Sequence, residues 1–113
     1  MEARAIARYQ PYSWRKVKPI LDLIRNKQVP VAYRILNVVP RRAKNLVYKT
    51  LKSAVANLTY KNKNIDLTKI VVKTCYVTQA PCLKRFRAGP MGRAMMYKKR
   101  FCHLTIVVGS KEL

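Results

Sequence analysis

Residues 82–102, CLKRFRAGPMGRAMMYKKRFC, carry seven Lys or Arg among 21 residues, no Asp or Glu, and the backbone breakers GPMG near the middle. On either side the pattern has a period of two. KIVVKTCYVTQ, from Lys69, is β-branched and aromatic, a strand by composition. In FCHLTIVVG, Cys102, Leu104, Ile106 and Val108 face one way and Phe101, His103, Thr105 and Val107 the other. Two strands joined through a Gly/Pro-containing middle read as a hairpin. The joining stretch, roughly 20 residues, is too long for a plain turn, and structureless loops of that length are uncommon in compact domains. The strands are therefore expected to continue outward as a ribbon, a hairpin at about 78–102. Each extra arm of about eight residues would reach roughly 25 Å at strand rise. An isolated two-stranded ribbon is marginal in water, so it needs a partner along its length, and its charge makes that partner phosphate.

The whole chain repeats this imbalance. Its 113 residues suit one domain, 1–113, and half are apolar, enough for a real core. Yet 25 Lys and Arg stand against Glu2, Asp22, Asp66 and Glu112, a formal net charge of +21. Self-repulsion on that scale weakens a compact fold unless a polyanion screens it. Nucleic acid is the obvious polyanion, through counterion release. An anionic membrane surface is the rival. No apolar run approaches the roughly 20 residues that span a bilayer. The N-terminal MEARAIARYQPYSWRKVK lacks the apolar block of a signal peptide. The terminal SKEL matches neither the peroxisomal nor the endoplasmic-reticulum signal. No membrane partner is expected.

The remaining segments supply a scaffold. EARAIARYQ alternates as a half-buried strand, with Ala3, Ala5, Ala7 and Tyr9 on one side, and the small alanines imply close packing on it. Ser13 can cap a helix whose stripe is Val17, Ile20, Leu21 and Ile24; Pro19 either kinks that helix or delays its start. Pro30 can open a second helix with Ala32, Ile35, Leu36 and Val39 inward, ended by Pro40. The third helix, RRAKNLVYKTLKSAVANLTYK, is the clearest, with Ala43, Leu46, Val47, Leu51, Ala54, Val55 and Leu58 as its stripe.

Little here resembles catalytic or metal chemistry. RNA hydrolysis would want paired carboxylates for metal ions or two histidines for acid–base work. The chain has one histidine and four scattered acids, and no glycine-rich phosphate loop. His103 lies in a strand, where an ordinary hydrogen-bonded role is expected. Cys75, Cys82 and Cys102, an odd number, read as reduced thiols, inert and buried on strands. Cys102 adjoins His103, but without a CxxC pair zinc is not expected. No enzymatic activity, catalytic residue, metal or cofactor is expected.

Four stretches, in order and over nearly the whole chain, resemble one family, the universal ribosomal large-subunit protein number twenty-two. SWRKVKPILDLIRNK is similar to its first-helix signature and KSAVANLTYKN to the end of its long helix. APCLKRFRAGPMGRA and KKRFCHLTIVV are similar to the arms and tip of its hairpin. Trp14 and Pro19 depart from the usual signature. At the tip Lys84, Arg85, Gly92 and Arg93 match, whereas Ala88, Gly89, Pro90 and Met91 differ, so the arms are preserved better than the tip. The resemblance implies an α+β fold: three helices packed on a three-stranded antiparallel sheet, with a long protruding β-hairpin. It also implies binding to large-subunit rRNA, a part in subunit assembly, and a location in the ribosome, of the cytoplasm or of an organelle. Expected neighbours are other large-subunit proteins, among them number four, and the nascent peptide at a tip lining the exit tunnel.

On that reading Lys84, Arg85, Arg87, Arg93, Lys98, Lys99 and Arg100 contact rRNA, with Phe86, Tyr97 and Phe101 interleaved for stacking. Ser13, Arg15, Lys16 and Lys18 form a second contact, beside Trp14, which either stacks on a base or packs on the protein. Ala88, Gly89, Pro90, Met91 and Gly92 face the tunnel. Met95 and Met96 pack against RNA or protein. The alternative is an architectural DNA-binding protein whose ribbon enters a groove, to be separated by retention on rRNA and on duplex DNA at raised salt.

Overall fold

The first strand, β1 (Glu2–Gln10), buries alternate residues: Ala3 and Ala5 are inside and Ala7 is half-buried. The structure, a computed structural model, describes residues 2–64 and 66–110; the expectations for Glu112 and the end of SKEL lie outside them. The small side chains of β1 let α3 (Lys44–Lys61) pack closely on the strand. Two long polar side chains of α3 reach over to it. Asn57 donates to the Arg4 carbonyl at 3.0 Å and Lys61 to the Glu2 carbonyl at 3.1 Å.

Helix α1 (Trp14–Ile24) buries Val17, Ile20, Leu21 and Ile24, the stripe its spacing predicts. Ser13 stands at the N-cap with extended backbone, but its hydroxyl makes no cap bond; its carbonyl accepts the Lys16 N–H at 3.0 Å. The helix runs through Pro19. Proline cannot donate to the Arg15 carbonyl one turn earlier, and both residues are exposed, so water can replace that donor. Helix α2 (Val29–Val38) has Pro30 in its first turn and buries Val29, Ala32 and Leu36. In α3 the buried stripe includes Thr50, whose hydroxyl donates to the Leu46 carbonyl at 2.8 Å and so meets its hydrogen-bonding need inside the helix.

The three-stranded antiparallel sheet has the order β1-β5-β2, with β2 at Ile70–Gln79 and β5 at Cys102–Ser110. Central placement accounts for β5: Cys102, Leu104, Ile106 and Val108 are wholly buried between neighbours on both sides and helices below. The chain before α2 straps the free edge of β2, with Asn26 N–H donating to the Val72 carbonyl and Val72 N–H to the Lys27 carbonyl, each at 2.9 Å.

Beyond this sheet, β3 (Leu83–Ala88) and β4 (Ala94–Lys99) form a separate two-stranded antiparallel ribbon, from Leu83 opposite Lys99 to Ala88 opposite Ala94. The extents of the molecule are 64 × 26 × 20 Å. Pairing is irregular where the ribbon leaves the sheet. Gln79 opposes Cys102 and Leu83 opposes Lys99, so three residues outbound, 80–82, face two on the return, 100–101. Pro81 lacks an N–H for the ladder, and one bond, Ala80 N–H to the Phe101 carbonyl at 3.1 Å, spans the break. Cys82 lies in this break, half-buried and off any strand, unlike buried Cys75 and Cys102.

Candidate nucleic-acid interface

Strand pairing sorts the ribbon side chains into two faces. Leu83, Arg85 and Arg87 share one with Met95, Tyr97 and Lys99; Lys84, Phe86 and Ala88 share the other with Ala94, Met96 and Lys98. All 12 are exposed, among them Phe86 at 72% and Met95 at 58%. Each face therefore alternates cations with apolar groups. The Arg87 guanidinium lies 4.8 Å from the Tyr97 ring centroid and the Lys99 ammonium 6.0 Å from that of Phe101. Lys84 stands directly opposite Lys98, and like charges so placed destabilise a free ribbon. An anion between them would reverse that sign.

Arg93 and Arg100 lie just past the two ends of β4. The Arg93 carbonyl accepts the Gly89 N–H, and the Arg93 N–H reaches the Pro90 carbonyl at 3.4 Å, closing the tip. Gly89 sits where a Cβ would come within 2.6 Å of the Met95 side chain and 2.7 Å of the Arg93 carbonyl. Met91 (φ 58) and Gly92 (φ 75) both take left-handed backbone, and Met91 is 98% exposed. Ala88, Gly89, Pro90, Met91 and Gly92 thus make a tight, uncharged cap between two charged arms.

The second predicted cluster divides. Arg15 and Lys18 lie over the Trp14 ring, at 5.5 and 6.0 Å from its centroid, and Trp14 packs on the core. Ser13 and Lys16 instead line a surface groove of about 500 Å³ with Pro11, Tyr12, Arg41, Arg42 and Ala43. Arg41 and Arg42 were absent from the sequence candidates. Their signal was the double arginine directly after Pro40, but only the fold sets them beside Lys16. Three cations and no acid line this groove.

The groups that would suit other chemistry are otherwise engaged. His103 Nδ1 accepts the Tyr9 N–H at 3.0 Å, and the two rings meet edge-on at 4.6 Å; an accepting Nδ1 leaves the proton on Nε2. Burial pushes the Cys75 and Cys102 thiols up, away from thiolate. Asp22 pairs with Arg25 at 2.7 Å, Glu2 with Lys73 at 3.0 Å, and Asp66 holds both the N–H and the hydroxyl of Thr68. Among the described residues no three of His, Cys, Asp and Glu gather as metal ligands, and no helix is long and apolar enough to cross a membrane.

A family model for ribosomal protein L22p/L17e matches residues 5–109. The large ribosomal subunit protein uL22 of Clostridium novyi (strain NT) is 48% identical over 108 residues, covering 96% of this chain and 96% of the relative.

Proposed function

Since the chain belongs to the ribosomal protein L22p/L17e family, and so is a non-enzymatic structural protein of the large ribosomal subunit, we propose that its ribbon anchors it in large-subunit rRNA, supports assembly and carries an uncharged tip to the wall of the peptide exit tunnel. One observation carries this reading. Every residue on both faces of β3 and β4 is exposed, and the faces mix cations with large apolar side chains, on an element with no core of its own. Exposed apolar area of that kind marks an interaction surface, and the cations specify a phosphate-bearing partner.

Lys84, Arg85, Arg87, Arg93, Lys98, Lys99 and Arg100 bind phosphate, and Phe86 and Tyr97 stack on unpaired bases. Arg15 and Lys18 beside Trp14, and Ser13, Lys16, Arg41 and Arg42 around the groove, extend the contact onto the globular part. At the tip the neighbours are the large-subunit protein number four and the nascent peptide. Membership in a ribosomal family turns the charge away from the duplex-DNA alternative.

The test is the salt dependence of affinity for a large-subunit rRNA fragment, with duplex DNA of equal length alongside. Each phosphate contact removed lowers the log–log slope by about 0.7–0.9. Arg85→Glu with Arg93→Glu should lower it for rRNA, and duplex DNA should be released at lower salt. Equal retention on both, with a slope indifferent to the two reversals, contradicts the reading.

A further inference from the structure

The sheet face turned away from the helices belongs to none of the contacts above. Pairing places Ile6, Thr105 and Tyr76 in one row across it, Arg4, Val107 and Thr74 in the next, and His103 beside Thr78 toward the ribbon. No described element covers it: Ile6 is 41% exposed, Tyr76 48% and Tyr9 62%, while Thr105, between Ile6 and Tyr76, is only 6% exposed. The register of β1 breaks between Ala7 and Gln10, bringing Arg8 and Tyr9 to this region. Tyr9 is held there by a left-handed backbone (φ 54), by the bond from its N–H to His103 Nδ1, and by edge-on contact with the imidazole. A large aromatic ring is thus fixed in place yet left open to solvent.

We propose that this face is a stacking platform for unpaired nucleotides of rRNA, with Tyr76 and Tyr9 receiving bases and Arg4 and Arg8 their phosphates. The proposal rests on the rRNA-binding reading and deepens it. The faces of bases in an A-form helix are covered by their neighbours, whereas splayed single-stranded bases stack on aromatic rings with little regard to sequence. The charge fits such an occupant. Arg4 and Arg8 are exposed on β1, and the acid of that strand, Glu2, is tied to Lys73. Continuity fits as well, because β2 and β5 lead directly into the ribbon, so RNA leaving the ribbon meets this face next.

The probe is a short fluorescein-labelled oligouridylate, which forms little structure of its own, titrated against the full chain. Tyr76→Ala and Tyr9→Ala should each weaken binding about tenfold, with the salt slope unchanged because stacking releases no counterion. Tyr76→Phe, which keeps the ring, should bind as wild type. A photoreactive phenylalanine analogue at position 76 should crosslink to rRNA in the assembled subunit. Wild-type affinity in both alanine variants, loss in Tyr76→Phe equal to that in Tyr76→Ala, or a crosslink to a neighbouring protein overturns the platform. Those outcomes leave the functional reading standing if the chain still binds the rRNA fragment through Arg85 and Arg93. Failure to bind that fragment at all is what would remove the functional reading itself.

Discussion

At the scale of single residues the core explains itself by period. Leu51 has no exposed surface and lies in the cluster that joins α3 to the sheet. Leu51→Ala should lower stability by about 2–5 kcal/mol, through lost transfer free energy and the cavity left behind, read from denaturant unfolding of the free protein. Glu2 offers a gentler test. The bond from Lys73, then its charge, holds this carboxyl below its ordinary value. A depressed acid stabilises the fold above its unfolded value, about 4.3, and the benefit disappears as pH falls through the depressed one. Glu2→Gln should therefore melt slightly below wild type near neutrality, and the two melting curves should converge in acid. The effect is small because the Glu2 carboxylate is exposed, although Lys73 is half-buried. Burial of this kind is readable from sequence, since the apolar stripes of α1 and α3 follow the helical period. Ser13 and Thr50 were not. Whether a hydroxyl caps a helix or bonds back within it depends on a rotamer, and no spacing encodes that.

At the scale of elements, the ribbon was legible where composition and backbone breakers coincide, and illegible at its root. A one-residue difference between 80–82 and 100–101 is a property of pairing, and Pro81 was its only sign in the sequence. The root also limits what the ribbon can do for the core, since no residue between Ala80 and Cys102 is buried. Replacing residues 83–99 with a short Asn-Gly turn should leave a cooperatively unfolding domain that binds rRNA weakly. A product without a cooperative transition, exposing dye-binding apolar surface, would show that the ribbon is needed for folding. The groove of Lys16, Arg41 and Arg42 is the opposite case. Its residues stand some 25 apart in the chain, a separation typical of contacts that only tertiary packing brings together.

At the scale of the whole molecule, a net charge of +21 strains the free protein and favours the RNA-bound one. A ligand that binds only the folded state raises apparent stability by mass action, so the melting temperature should rise with added rRNA fragment and fall back as salt displaces it. The proposed function divides labour along the ribbon: charged arms anchor, and the uncharged tip shapes. Gradient profiles of large subunits assembled with each variant test it most directly. Arg85→Glu with Arg93→Glu should deplete mature subunits, because each reversal sets a like charge against phosphate, whereas deletion of Pro90 and Met91 should assemble normally and change only passage of a pausing peptide through the tunnel. Normal assembly by the charge reversals, with assembly blocked by the tip deletion, would contradict that division.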